Sequence, residues 1–207
     1  MFQLLQKGGP IMWPLLLTSL IALTVVFERI LFIFREKWRR NPETVKEILM
    51  CAEKGDADAA ISMGKFSKDF VGRTLVYGLE HRDESFSNAL LRAANLELKR
   101  FNRGLHILDT IITLSPLLGL LGTVTGMIHA FGLLGTSELG SPSAITGGIA
   151  EALLATAFGL SIAIVSLIPF NYLNARLETA RHEIQDAASH LELILMQSEK
   201  KHEHSIA

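Results

Sequence analysis

Apolar residues gather into three long runs, separated by segments in which charge returns every few positions. The first run spans Ile11 to Phe34 and closes on Glu28, Arg29, Arg35, Lys37, Arg39 and Arg40. The second spans Leu108 to Leu134 and the third Gly147 to Tyr172. Residues 8–27 carry no charge. Between Arg103 and Arg176, 72 residues pass without a Lys or Arg, and the only carboxylates there are Asp109, Glu138 and Glu151. A bilayer core about 30 Å thick takes roughly 20 mostly apolar residues per helix. An open strand in lipid would leave backbone groups unpaired, so each run is predicted to be a transmembrane helix. A cleaved leader is the alternative for the first run, but the run is too long, Pro14 sits near its start, and no small-residue A-x-A site follows. A buried hairpin in a soluble protein is the alternative for the other two, and it would need a polar shell the remaining sequence does not offer.

Basic residues set the expected orientation. The 35–105 segment carries 14 Lys and Arg against 11 acids, and the tail carries Arg176, Arg181, Lys200 and Lys201. Residues 1–10 hold only Lys7, and residues 135–146 hold no base. The expected layout is therefore a short periplasmic stretch 1–10, spans 11–34, 108–134 and 147–172, a cytoplasmic helical loop 35–107, a periplasmic loop 135–146 and a cytoplasmic helical tail 173–207. The fold class is an all-α integral membrane protein with the N-terminus outside and the C-terminus inside.

Spans two and three are expected to continue as helices into the cytoplasm. Gly148, Ala152, Thr156, Gly159, Ala163 and Ser166 recur at intervals of 4 and 3. The same stripe goes on through Phe170, Leu173, Leu177, Ala180, Ile184, Ala187, Leu191 and Ile194, which is a heptad seam. Leu91, Ala94, Leu98, Phe101, Leu105 and Leu108 form a matching stripe that leads into Ile112, Ser115, Gly119, Gly122 and Gly126. Pro116 falls inside this run, where it bends the helix or loosens a turn. In the loop, Asn41-Pro42-Glu43 starts a helix over 43–54. Gly55-Asp56 ends it, short helices follow over 57–63 and around Phe70 to Leu79, and Ser85 restarts a helix that feeds the second span. Such hairpins build a helical bundle.

Composition adds little. The chain has 207 residues, 49% hydrophobic and 20% charged, with a net charge of −1. A neutral balance gives no footprint for nucleic acid, and the single cysteine, Cys51, excludes an internal disulfide. No P-loop, dinucleotide fingerprint or H-E-x-x-H motif is present, so no enzyme, metal or cofactor is expected. His202 and His204 lie in a polar tail, and His129 lies in the outer part of the second span.

The informative polar residues are those inside the spans. Small faces within a membrane allow close helix packing, which is the role expected of Ser115, Gly119, Gly122, Gly126, Ala152, Gly159 and Ala163. An intramembrane carboxylate is costly and marks a functional position, which singles out Glu151 against a plain interfacial role. Thr123 and Thr156 either bond their own preceding carbonyls or offer hydroxyls to a polar path.

The run from Pro116 through Gly119, Gly122 and Thr123 to Ile128 resembles the second-span signature of the MotA/TolQ/ExbB proton channel family. The run from Gly147 through Glu151 and Thr156 to Gly159 resembles its third-span signature, and Trp13-Pro14 with Phe27-Glu28-Arg29 resembles its first. Three spans fit the ExbB/TolQ branch. The resemblance implies a homopentamer around two copies of a single-span ExbD- or TolR-like partner, in the inner membrane of a Gram-negative bacterium. It implies that protons cross beside an Asp on the partner helix and that the flow energises a TonB- or TolA-like protein. Thr123, Thr156 and Glu151 then line the proton path. Ser115 stands where the family often has Ala. A non-conducting scaffold for a single-span partner is the competing expectation, and an ExbB-type role is favoured over a TolQ-type one.

Overall fold

A computed structural model describes residues 9–132 and 142–206, except the side chains of 83–84, 142–145 and 198–206. Residues 1–8, Glu138 and most of the expected 135–146 loop lie outside the described residues, as do the side chains of His202 and His204. The chain is all-α, with helices α1 (Met12–Arg39), α2 (Pro42–Glu53), α3 (Ala57–Gly64), α4 (Phe70–Glu80), α5 (Arg82–Asn102), α6 (Leu105–Gly132) and α7 (Pro142–Ile206). No strand occurs among the described residues. Among the described residues, three stretches are long and apolar enough to cross a membrane: α1, α6 and residues Thr146–Gln197 of α7. At most 28% of the apolar window in each is buried. The remaining apolar surface faces outward, as a helix solvated by lipid requires.

Two compact units divide the chain. The first comprises residues 1–30 and 104–173. Its core is narrow. Met12 and Leu15 of α1 are buried, as are Leu108, Ile111, Ser115, Gly119, Gly122, Gly126 and Ala130 of α6. These α6 positions recur every 3 or 4 residues, which puts them on one face. Facing them on α7 are Ala152, Ala155, Gly159 and Ala163. Pro116 and Pro169 both lie inside unbroken helices. Each removes one backbone donor, a loss that helices in lipid tolerate.

The second unit comprises residues 31–103 and 174–207. Its short helices begin where side chains supply the missing acceptors. Asn41 accepts from Thr44 N (3.4 Å) ahead of Pro42, Asp56 accepts from Ala59 N (2.9 Å), and Asp69 accepts from Val71 N (2.9 Å). Gly55, at φ +80, makes the left-handed turn between α2 and α3 that a side chain would resist. α4 is the central helix, with Phe70, Val71, Thr74, Leu75 and Leu79 all buried. Phe101 of α5 meets Phe32 and Phe70 edge-on, at centroid distances of 5.3 and 5.1 Å. On its part of α7, Leu177, Ala180, Ile184, Ala187, Leu191 and Ile194 are all buried, so the heptad seam is a core stripe.

Two expectations need correction. The run leading into the second span is carried by two helices, not one. Arg103 leaves the helix at ψ 131, Gly104 adopts φ +81, and α6 starts afresh with Ile107 N and Leu108 N donating to Gly104 O. Periodicity survives such a break, so it could not report it. On α5 the expected stripe holds at the buried Phe101 but fails at its first position. Leu91 is 61% exposed, while Leu90 and Ala93 are buried. The cause is Gly78 of α4, where an added β-carbon would lie 2.5 Å from Leu90 Cδ2. Leu90 fills the space that the glycine leaves. The restart at Ser85 is present as a kink, with φ −169 and ψ 94 inside α5.

Candidate functional site

The site is the crossing of α6 and α7 within the first unit. A β-carbon added to Gly159 would lie 2.4 Å from Ser115 O, and one added to Gly119 would lie 3.0 Å from Thr156 Cα. Gly126 meets Ala152, and Gly148 meets Ala130, in the same manner. As α6 positions rise, their α7 partners fall, so the helices cross antiparallel. Such close approach depends on the glycine that supplies one member of each pair.

Closeness changes what the hydroxyls can do. Thr156 Oγ1 donates across the gap to Gly119 O at 3.0 Å. That carbonyl is within reach because residue 119 has no side chain to cover it. The expected alternative, a bond from Thr156 to its own helix, does not occur. Thr123 behaves differently: its hydroxyl donates to Leu120 O of its own helix at 2.7 Å, and the residue is half-buried. In both, the proton is committed to a carbonyl while the oxygen can still accept from water or from a partner group. Ser115 Oγ is buried in the crossing and has no hydrogen-bond partner among the described residues.

Glu151 lies five residues before Thr156, about 7.5 Å along the helix axis. Its carboxylate packs on the backbone of Gly9, where an added β-carbon would fall 1.7 Å from Oε1. Gly9 sits at φ +70, just ahead of α1, and Met12 N donates to Gly9 O at 3.2 Å. The carboxylate is therefore close to the N-terminal turn of α1, whose partial positive charge favours an anion. No hydrogen bond links Glu151 to either threonine among the described residues. The three polar residues are thus spread along the two helices rather than gathered at a point. The small residues expected to pack, Ser115, Gly119, Gly122, Gly126, Ala152, Gly159 and Ala163, are all buried.

Sequence reasoning passed over Gly9 and Ala155, and nothing in their spacing distinguished them. It also passed over two charged nodes in the second unit. Arg40 reaches Asp69 (2.6 Å) and Glu183 (2.8 Å) and lies over the Phe70 ring. Asp69 is fully buried and also accepts from Asn41 N at 2.7 Å. Arg73 joins Glu97 (2.8 Å) and the buried Glu36 (3.4 Å). Burial opposes the Arg73 charge, but the Glu97 hydrogen bonds and the charges of Glu97 and Glu36 outweigh it, so its pKa rises above the ordinary guanidinium value. An Asp just before an apolar run is a cap signal, so Asp69 was findable as a cap but not as the partner of Arg40.

A multi-pass membrane protein with a glycine-lined crossing of two spans is the class these features define. The model of the MotA/TolQ/ExbB proton channel family matches residues 65–186, and the chain belongs to that family, on its ExbB-like side. It is 38% identical to biopolymer transport protein ExbB-like 1 of a Synechocystis species, over 91% of this chain and 76% of that protein. It is 33% identical to ExbB-like 3 of the same organism, over 91% of this chain and 92% of that one. Biopolymer transport protein ExbB of Xanthomonas campestris is 33% identical over 51% of this chain and 44% of its own length.

Proposed function

We propose that this chain is the channel-forming subunit of a proton-driven motor of the ExbB type in a bacterial inner membrane. In this reading it performs no covalent catalysis. Its N-terminus lies in the periplasm, and its second unit lies in the cytoplasm. Several copies, five by family resemblance, enclose the helices of a single-span ExbD- or TolR-like partner. The partner's Asp exchanges protons with water held along the α6–α7 crossing. The movement is passed to a TonB-like protein that energises outer-membrane transport. The electrical part of the driving force is about 2.3 kcal/mol per charge per 100 mV.

The observation that carries this reading is the Thr156–Gly119 hydrogen bond. It fixes a hydroxyl between two closely packed spans, on a stretch that holds no base for 72 residues. A fixed hydroxyl orders water without the cost of a buried charge. Thr123, one turn beyond Gly119 on α6, and Glu151, toward the start of α7, are the other two groups of the proposed path.

The test is Thr156→Ala and Glu151→Ala, assayed for assembly and for energised transport with the partner present. Intact assembly with transport abolished is the expected result. Full transport in both variants sinks the channel reading. Loss of assembly instead favours a packing scaffold, the reading to which the self-bonded Thr123 lends support. A TolQ-type role in envelope integrity is separated by which partner genes lie beside this one.

A further inference from the structure

A cleft of about 650 Å³ opens within the second unit, beside the end of α1. Besides Asn41, Thr44, Ser67 and Arg40, two kinds of side chain line it. Trp38, Phe66 and Met63 are apolar and stand 85%, 87% and 53% exposed. Arg35, Arg39 and Lys68 are exposed cations, and none of the three forms an ion pair among the described residues. No carboxylate lines the cleft. Arg40, which also lines it, is already committed to Asp69 and Glu183.

Its place along α1 says what could fill it. The apolar run of α1 ends at Phe34, and Trp38 follows one turn later, about 6 Å along the axis. That is the depth of lipid headgroups, where Trp side chains concentrate. Basic residues at this depth are drawn to anionic lipids. Water would favour burying an indole, a phenyl ring and a thioether, yet here all three stand open beside uncompensated positive charge. A protein surface able to cover them would have to bring both apolar area and acids. An anionic phospholipid brings both in one molecule.

We propose that this cleft docks an anionic phospholipid of the leaflet in which α1 ends. Arg35, Arg39 and Lys68 hold the phosphate region. Trp38, Phe66 and Met63 lie against the glycerol and upper acyl chain. The turn between α3 and α4, which carries Phe66 and Lys68, is thereby fastened to the membrane surface. The proposal does not depend on whether the α6–α7 crossing conducts protons.

The chain has two tryptophans, Trp13 and Trp38, so Trp13→Phe leaves Trp38 as the single reporter. The full chain is placed in nanodiscs of phosphatidylcholine with a minority of phosphatidylglycerol. Bromine is carried near the carbonyl end of either lipid at equal mole fraction. Blue-shifted Trp38 emission, quenched several-fold more by brominated phosphatidylglycerol than by brominated phosphatidylcholine, is expected. Single Arg35→Gln, Arg39→Gln and Lys68→Gln changes should each lower the preference for phosphatidylglycerol about fivefold. The unsubstituted comparison stands even if a variant fails to fold. Equal quenching by the two lipids overturns the proposal. So does emission typical of an indole in water. Blue-shifted emission that bromine cannot quench overturns it in favour of a protein surface, either a second copy or a partner.

Discussion

At the α6–α7 crossing the helices are held together by small residues. Gly159 and Gly119 let one backbone approach another, and the closest polar link is a single threonine hydroxyl on a carbonyl. In the second unit the helices meet through large groups: a guanidinium between two carboxylates at Arg40, and another at Arg73. The contrast follows from solvent. Lipid offers no hydrophobic gain for bringing apolar helices together, so close dispersion contact must do it. Where water surrounds the helices, apolar burial supplies the drive, and charged nodes fix which helix meets which.

Variants on the two sides test this contrast, and they rank by size. Arg40→Ala should have the largest effect on stability, because it strands the buried Asp69 carboxylate without its cation. Removing one partner of a buried pair costs about 3–5 kcal/mol. Unfolding in detergent, followed by helical signal against denaturant, reads this directly. An unchanged midpoint would mean that the backbone donors from Asn41 and Val71 suffice for Asp69. Gly159→Leu comes next. Its β-carbon meets a backbone oxygen that cannot move aside, and overpacking of this kind costs about 1–3 kcal/mol. Stability equal to the parent would show that the crossing is looser than 2.4 Å implies. Asp56→Ala removes an exposed cap from α3 and should cost about 1 kcal/mol. It calibrates the scale, since it belongs to neither strategy. Thr156→Ala should cost least, about 0.6 kcal/mol, the usual size of an interhelical hydrogen bond in a membrane. Its expected loss of transport is complete. That split between stability and activity would distinguish a hydroxyl kept for function from one kept for packing.

The third span and its continuation were the most legible part of the sequence. Small residues from Gly148 to Ser166 and large ones from Leu173 to Ile194 share one stripe, and period alone identifies the face. The start of the α5 stripe was misread, at Leu91 rather than Leu90, because the decisive fact was a glycine on another helix, Gly78, whose hollow accepts Leu90. The break at Gly104 was hidden because apolar spacing continues on both sides of it. Glu151, Thr123 and Thr156 stood out as polar residues in an apolar field. Their hydrogen bonds did not, because whether Thr156 bonds its own helix or its neighbour depends on an interhelical distance that no local pattern encodes. The same holds for Arg40 and Asp69, 29 positions apart in sequence.

Ser115 leaves one matter for protein engineering and for drift. Its hydroxyl is buried in the crossing with no hydrogen-bond partner among the described residues. A stranded buried hydroxyl is a standing liability, and trimming it to a methyl group is neutral or stabilising. The position is therefore one at which random substitution can improve the protein, a reminder that natural chains are selected to clear a threshold rather than to reach an optimum.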